Sequence, residues 1–490
     1  MELELAVLMA RWQFAVTTLY HFIFVPITIG LAPILAIMHT LYYVTNNDKY
    51  RRMTIFFGKL FLINFALGLV TGITQEFQFG MNWSSYSRYA GDIFGAPLAM
   101  EALLAFFLES TFLGLWMFGW KYLPPKLHLM CIWLVAAGTW FSSLFILAAN
   151  SFMQNPVGYI ENAEKGRLEL GSFAEVMTNP LLPFMFGHVI TAALCTAGVL
   201  VVGVSAYHLL RKTQPSLFER AMAIGLIVTF VASLATAGIG HAQAQQLLER
   251  QPVKLAAAEA QWETMVNPPL TLFSVIDTEA QENHFEVGIP GLLSFLATDQ
   301  FGSEMKGLKD LQQDFEAEFG PGNYLPDVPV VYWSFRVMVG LGTLMILYSA
   351  VGLFLWRRKA FADGGDTRIT RLWLRFAIPA LSFGVLACGA GWLFTEAGRQ
   401  PWLVYKKLLT VDGISVAVPS WQVITTLSIF TLVYGALAVA EFYLMYKYTV
   451  KGPDEPESLP GHEGGELVSD VDGPKGTSAT DRPITPVVHY

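Results

Sequence analysis

Nine long apolar segments constrain the fold of this chain more than any other feature of its sequence. A helix needs about 20 apolar residues to cross the hydrocarbon core of a bilayer, and each segment is long enough to do so. Only 14% of the residues are charged, against about 25% in a soluble domain. The segments lie at about 15–41, 55–75, 95–118, 128–150, 183–210, 221–241, 329–356, 372–397 and 421–446. The sequence therefore predicts an all-α integral membrane protein, a bundle of nine transmembrane helices.

Basic residues predict how this bundle is oriented. An odd number of spans puts the termini on opposite sides, and loops rich in Lys and Arg stay in the cytoplasm. The first, third, fifth and seventh loops are the basic ones, with Lys49, Arg51, Arg52, Lys121, Lys126, Arg211, Lys212, Arg220, Arg357, Arg358, Lys359, Arg368 and Arg371. We therefore expect the N-terminus outside and the C-terminus in the cytoplasm. Glu2 and Glu4 stand where a signal peptide has basic residues, so no cleaved signal peptide is expected.

Composition divides the chain into four parts. Residues 1–241 hold the first six spans, and residues 329–450 hold the last three. Between them, residues 242–328 form a hydrophilic loop that is too long to be a simple connector and is predicted to be functional and extracytoplasmic. The polar, Pro- and Gly-rich residues 451–490 are predicted to be a disordered cytoplasmic tail.

Charge and cysteine usage exclude some classes of function. The net charge of −8 is carried mostly by the loop and the tail, so no nucleic-acid partner is expected. The three cysteines fall in apolar segments without CxxC spacing, which argues against a thiolate metal site. Any metal in the bundle would therefore use other ligands.

Four side chains that can ligate a metal are predicted to share the outer third of the bilayer. They are His21, His188, Met338 and Glu396, near the outer ends of spans 1, 5, 7 and 8. Neutral imidazole and thioether are the axial ligands of haem iron in His/Met pairs. The alternative is that each histidine is a packing residue and Met338 fills the core.

Two arginines and a tryptophan accompany these ligands. Arg336 precedes Met338 by two residues, and Arg399 follows Glu396 by three, with Trp392 in the same GWLFTEAGRQPW segment. Cations at that depth suit haem propionates. The alternatives are arginines that extend to lipid head groups and an interfacial Glu–Arg pair that closes the helix, with the tryptophans as boundary aromatics.

Acidic residues suggest a path for protons. Glu101 and Glu109 lie eight residues apart on span 3, roughly 80° apart around a regular α-helix. Two acids on one transmembrane helix are typical of a proton relay. The structural alternative is that they pair with Lys59 or with Asn150. In the outer loop, composition alone predicts that Lys254 and Glu259 are solvated, although a quinol head group would need such proton acceptors and polar contacts.

Several long blocks resemble subunit I of cytochrome bd-type quinol oxidases, and the similarity runs from about residue 1 to 450. The blocks are RWQFAVTTLYHFIFVPITIG, TQEFQFGMNWSSYSRYAGDIFGAPLAMEALLAFFLESTF, MQNPVG, FRVMVGLG and GWLFTEAGRQPW. The resemblance implies a nine-helix fold around three haems: two haem b, one of them low-spin, and one haem d. It also implies that quinol is oxidised at the outer loop and that O2 is reduced to water.

The resemblance also implies roles for individual residues. His188 and Met338 correspond to the axial pair of the low-spin haem b, with Arg336 beside it. His21 and Glu396 correspond to the ligands of the two high-spin haems, one b and one d, without deciding which holds which. Trp392 lies among the haems, Arg399 contacts a propionate, and Glu101 and Glu109 are buried acids near the oxygen site. Lys254 and Glu259 correspond to the polar pair of the quinol loop, here in its shorter form.

The resemblance also implies where the protein works and with which partners, and two alternative functions stay open. The resemblance implies a bacterial plasma membrane protein that works with subunit II and with small single-span subunits, using menaquinol or ubiquinol, O2 and cytoplasmic protons. One alternative is a b-haem subunit that passes electrons from quinone without oxygen chemistry. Another is an ion-coupled transporter, which would bind no haem.

Overall fold

The computed structural model describes residues 2–362, 365 and 367–454. In chain order its helices are α1 (Glu2–Thr45), α2 (Asp48–Met81), α3 (Ser84–Met100), α4 (Phe106–Phe118), α5 (Pro125–Gln154), α6 (Phe173–Met177), α7 (Leu182–Leu210), α8 (Pro215–Arg250), α9 (Pro252–Ala258), α10 (Leu292–Thr298), α11 (Leu308–Phe319), α12 (Val328–Arg357), α13 (Arg368–Ala380), α14 (Phe383–Ala397), α15 (Thr410–Gly413) and α16 (Ser420–Lys451). A π-helical turn, Glu101–Ala105, joins α3 to α4.

Short antiparallel hairpins and ladders complete the secondary structure. The strands are β1 (Tyr159–Asn162), β2 (Arg167–Leu170), β3 (Met265–Val266), β4 (Leu270–Asp277), β5 (Glu282–Ile289), β6 (Glu304–Met305), β7 (Trp402–Val404) and β8 (Leu408–Leu409). They pair as β1 with β2, β3 with β6, β4 with β5 and β7 with β8. All of them lie in the connections between the long helices.

The prediction of nine spans is confirmed within the described residues. The spans are α1, α2, α3 with α4, α5, α7, α8, α12, α13 with α14, and α16. The helices extend beyond the predicted spans: the first begins at Glu2, whereas its span was predicted from about 15, and α8 continues past 241 to Arg250. The added turns contain polar residues that hydropathy excludes, and these residues bond to neighbouring helices. Gln78 Nε2, for example, donates to Thr17 Oγ1 at 2.6 Å.

Helix α1 packs against α2, α5, α7, α14 and α16. Small residues allow the close approach, since a Cβ at Gly30 would collide with the Ala193 carbonyl of α7. Ser420 at the start of α16 donates to Glu2 at the start of α1. We call this end of the bundle, where α1 begins and α8 ends, the loop side, because residues 251–327 leave from it.

The loop is folded rather than extended. Helical structure continues into the region that the sequence assigned to the loop, because α8 ends at Arg250 and α9 begins at Pro252 and ends at Ala258. Residues of α9, α10 and α11 bury a cluster together with the start of α12. The predicted tail begins at the end of α16, and beyond Asp454 it lies outside the described residues.

Candidate functional site

His21 on α1 is oriented by a hydrogen bond to α2. Its Nδ1 lies 2.8 Å from Thr71 Oγ1, and the Thr71 hydroxyl donates its own proton to the Leu67 or Gly68 carbonyl. With that donation, the Thr71 oxygen is available to accept from His21 Nδ1–H. The tautomer with a proton on Nδ1 would leave a lone pair on Nε2, which is the arrangement found in metal-ligating histidines.

His188 on α7 and Met338 on α12 both pack against glycines. A Cβ at Gly240 would lie 3.2 Å from His188 Cε1, and a Cβ at Gly391 would lie 2.8 Å from Met338 Sδ. His188 Nδ1 is buried near the Thr236 backbone. It has no partner at hydrogen-bond geometry within the described residues. Helices α8 and α14 contact both α7 and α12. The two side chains thus belong to one packed group of four helices.

Glu396, at the loop-side end of α14, is the centre of a polar network. Its Oε1 accepts from Asn150 Nδ2 at 2.9 Å and from Gln154 Nε2 at 3.3 Å, and its Oε2 accepts from Arg399. A carboxylate offers about four lone-pair positions. Three are used, so Oε2 retains one for a metal ion. The donor set therefore fits a carboxylate ligand of haem iron.

Arg399 pairs with Glu396 as the i, i+3 spacing predicted. The alternative of an arginine extended to lipid head groups is wrong, because its side chain is only 3% exposed and also donates to the Leu403 carbonyl. Trp402 is likewise buried in the loop cluster rather than placed at a membrane boundary. Trp392 stacks on Phe22, next to His21, at 4.9 Å between ring centroids. This stack joins α14 to α1 beside one candidate ligand.

Lys254 and Glu259 are both buried, each 3% exposed, so the prediction that these loop charges are solvated was wrong. Lys254 Nζ donates to Gln154 Oε1 at 2.6 Å. Burial lowers the pKa of Lys254 to about 7, and the Glu396 carboxylate opposes this shift. An amine with such a pKa can gain or lose a proton near neutral pH.

Glu259 forms a buried ion pair with Arg336. The Arg336 guanidinium donates to both carboxylate oxygens, at 3.2 and 2.6 Å, and Nε donates to the Thr271 carbonyl at 2.6 Å. Burial raises the pKa of Glu259, and the attraction of Arg336 opposes that rise. The guanidinium also lies 4.4 Å from the centroid of the Tyr332 ring. These contacts hold the Arg336 side chain against the loop. The alternative that Arg336 extends to lipid head groups is therefore wrong.

Gln154 is a site residue that the sequence analysis missed. Its side chain bonds to Lys254 on one side and to Glu396 on the other, and it also accepts from Gln251 Nε2 at 3.0 Å. The only signal was its position in the MQNPVG block at the end of α5. A glutamine can serve as such a bridge because its amide is donor and acceptor at once.

Glu101 is the first residue of the π-helical turn and Glu109 lies beyond it on α4, so the separation of roughly 80° predicted for a regular α-helix does not apply. Both face α5: Ser142 Oγ donates to Glu101 at 2.7 Å, and a Cβ at Gly138 would lie 2.7 Å from Glu109 Cγ. Glu109 is buried, and its Oε1 has no partner among the described residues.

The predicted structural pairings of these acids were wrong. Lys59 binds Asp454, and Asn150 binds Glu396. Across residues 2–362, 365 and 367–454, no three His, Cys, Asp or Glu side chains are grouped to hold one metal ion. The candidate ligands therefore do not form a single multi-ligand metal site.

Comparisons with known proteins agree with one another over nearly the whole chain. Residues 9–453 match the family model described as cytochrome bd terminal oxidase subunit I. The chain is 46% identical over 447 residues to cytochrome bd ubiquinol oxidase subunit 1 of Bacillus subtilis (strain 168), covering 91% of this chain and 94% of that one. It is 39% identical over 507 residues to cytochrome bd-II ubiquinol oxidase subunit 1 of Escherichia coli (strain K12), covering 92% and 97%.

The fold matches a solved structure as well. The bd oxidase from Geobacillus thermodenitrificans superimposes with a TM-score of 0.83 at 28% sequence identity. The superposition covers 92% of this chain and 100% of that chain. Most of this fold thus has a counterpart in an oxidase of known structure.

Proposed function

The chain belongs to the cytochrome bd terminal oxidase subunit I family, and from this premise we propose which residues carry each part of the reaction. It is a multi-pass membrane subunit of a terminal respiratory oxidase, a quinol:oxygen oxidoreductase that uses haem. Oxidases of this type work with a subunit II. The resemblance stated from the sequence is therefore confirmed at the level of family and reaction.

Quinol is oxidised at the folded loop. Lys254 and Glu259 hold the quinol head group, and Lys254 accepts a proton from it. The support is their burial beside the bundle and the pKa of Lys254 near 7, which a solvated loop lysine would not have. Glu259 keeps its position through Arg336.

Three haems are held at the loop side. His188 and Met338 ligate a low-spin haem b, while His21 and Glu396 ligate two high-spin haems, one b and one d. Haem supplies electron storage and, where an axial position is open, a site for O2. The support is the Thr71 contact that orients the His21 ring and the remaining lone pair on Glu396 Oε2. Arg399 and Trp392 pack beside these ligands. Arg336 lies near the low-spin haem in this proposal, as the resemblance implies.

One observation carries this assignment: the bridge from Lys254 through Gln154 to Glu396. A single buried side chain joins the proposed quinol site to a proposed haem ligand. The proposed proton acceptor Lys254 thus lies one side chain away from the proposed ligand of a high-spin haem. The family name supplies the reaction, and this bridge explains why the loop folds back onto the bundle.

Replacing Gln154 with leucine is expected to lower kcat/KM for quinol by about tenfold to a hundredfold, since a lost hydrogen bond to a charged group costs about 1.5–3 kcal/mol. Leucine has a similar volume but cannot accept from Lys254 or donate to Glu396. Steady-state quinol oxidation measures the effect. Gln154→Glu keeps the acceptor for Lys254 and removes the donor to Glu396, so it separates the two contacts. Wild-type kinetics in the leucine variant would contradict the bridge.

Protons for oxygen reduction come from the cytoplasm, which is the side opposite the loop, and Glu109 holds them on the way, with Glu101 as a second station. The support is the buried, unpartnered carboxyl of Glu109 and the shared contact of both acids with α5. This direction of transfer generates membrane potential. It requires the N-terminus and the loop to face outwards and the C-terminus to face the cytoplasm.

Glu109→Gln is expected to reduce the maximal turnover by about a hundredfold, the lower end of what a positioned proton-transfer group supplies, and to leave KM for quinol unchanged. The amide keeps the shape of the side chain but cannot carry a proton. Turnover against quinol concentration separates the two effects. Glu164→Gln, in an exposed turn, is the control, and an unchanged maximal rate in Glu109→Gln would assign this acid a structural role.

The proposal is tested by a reduced-minus-oxidised visible spectrum of the complete oxidase, repeated under carbon monoxide. A far-red chlorin band that shifts with carbon monoxide, beside b-type bands, is expected. Unreactive b bands alone would contradict the haem d assignment, and a spectrum without a low-spin b band would contradict the pairing of His188 with Met338. The quinol, menaquinol or ubiquinol, and any small single-span subunits are identified by purifying the oxidase and analysing its bound quinone and protein components.

A further inference from the structure

Glu441 is a buried acid of α16 that the proposed mechanism does not use. Its side chain is 4% exposed and lies on the face of α16 that packs against α1 and α2. The opposite face, with Val439, Phe442 and Tyr443, is exposed on the surface of this chain. Glu441 Oε2 has no hydrogen-bond partner anywhere in residues 2–362, 365 and 367–454. A carboxyl buried at membrane depth without a partner indicates a functional site.

Two tyrosine side chains near Glu441 also have buried hydroxyl groups. Tyr434 of α16 is buried and stacks on Tyr20 of α1, with ring centroids 4.7 Å apart. Both hydroxyls are buried; within the described residues the Tyr20 hydroxyl has no hydrogen-bond partner, and the Tyr434 hydroxyl lies near the Thr74 side chain. Glu441 lies within electrostatic range of the Tyr20 hydroxyl. Buried polar groups that lack a protein partner are usually bonded to internal water, so water between α1 and α16 would satisfy these oxygens.

We propose that Glu441 is a proton-binding site on a second route through the bundle, in which internal water connects its carboxyl to the Tyr434 and Tyr20 hydroxyls and leads towards His21. The inference rests on the proposed function, because it takes His21 as a haem ligand at the loop side. The reaction supplies the driving force: reduction of O2 to water consumes protons, and each transfer moves one proton from water to the carboxylate and onwards.

The end of α16 away from the loop provides an entrance. Glu441 precedes the last residue of the helix, Lys451, by about 15 Å at 1.5 Å per residue. There Asp454 binds Lys59 of α2 and Lys451, the latter at 2.9 Å. This charged group faces the side from which the proposed mechanism takes protons. From Glu441, Tyr434 lies a further two helical turns towards the loop side.

This route is separate from the one assigned to Glu101 and Glu109. Those acids face α5, whereas Glu441 faces α1 and α2. Glu441 lies inside the last apolar segment without a basic neighbour at helical spacing, so the sequence pattern did not indicate a site there. A single acid in an otherwise apolar span was the available signal.

The test compares Glu441→Gln with wild type in the complete oxidase. Haem spectra and KM for quinol are expected to be unchanged, while proton uptake after O2 is added to the reduced enzyme slows by about a hundredfold. A protonated carboxyl band in the reduced-minus-oxidised infrared spectrum should also disappear. Wild-type uptake together with an unchanged infrared band would overturn the proposal.

Two further variants keep the test decisive if Glu441→Gln does not assemble. Tyr434→Phe removes one hydroxyl of the route and should slow proton uptake, whereas Tyr443→Phe removes an exposed hydroxyl from the same helix and should not. Equal rates in these two variants and in wild type would overturn the route. A wild-type oxidase without a carbon monoxide-sensitive band would instead contradict the proposed function, so the two failures are distinguishable.

Discussion

Replacing His188 with alanine, or Met338 with leucine, is expected to abolish the low-spin b absorbance of the oxidase while the protein still inserts into the membrane. The low-spin state requires two strong axial ligands, and neither alanine nor leucine can donate electrons to iron. Leucine has nearly the volume of methionine, so the contact with Gly391 is retained. A reduced-minus-oxidised spectrum of membranes with equal amounts of protein measures the loss.

Met345→Leu is the matched control for this experiment. Met345 lies seven residues after Met338 on α12, hence near the same helix face, and is buried in an apolar cluster. The same chemical change there should leave the low-spin band intact, because volume-conserving exchanges in a core are usually tolerated. A band that survives Met338→Leu would remove Met338 from the ligand set and would leave it a packing residue.

The membrane fold was predictable because the bilayer permits few backbone conformations. Backbone groups in hydrocarbon must be satisfied within the helix, so nine apolar segments dictate nine helices. Helix ends were less predictable, since they depend on partners elsewhere in the chain. Gln13 lies outside the predicted first span, yet it continues α1 because its side chain accepts from Thr426 of α16 at 2.9 Å.

Candidate ligands could be proposed from the sequence, whereas the contacts that connect them could not. His21, His188 and Glu396 were identified because polar groups in apolar spans are rare and expensive. The burial of Lys254 and Glu259 had no local signal, since their partners Gln154 and Arg336 are 100 and 77 residues away. Spacing arguments work within one helix and cannot find such contacts.

The ion pair between Glu259 and Arg336 is expected to hold the loop on the bundle. Removing one partner of a buried pair leaves an uncompensated charge and costs about 3–5 kcal/mol, which is more than a hundredfold in an equilibrium. We therefore expect Glu259→Gln or Arg336→Met to increase loop opening by that factor. Limited proteolysis within residues 251–327 measures the open population when closing is fast relative to cleavage.

The double variant distinguishes coupling from simple loss of packing. With both charges removed, neither is left buried and unpaired, so Glu259→Gln with Arg336→Met should open less than either single variant. Quinol oxidation should nevertheless remain low in all three, because Glu259 is part of the proposed quinol site. Additive opening would show that the two residues act independently. The loop would then depend on its apolar cluster, and Glu259 would be placed for quinol by the fold of the loop rather than by Arg336.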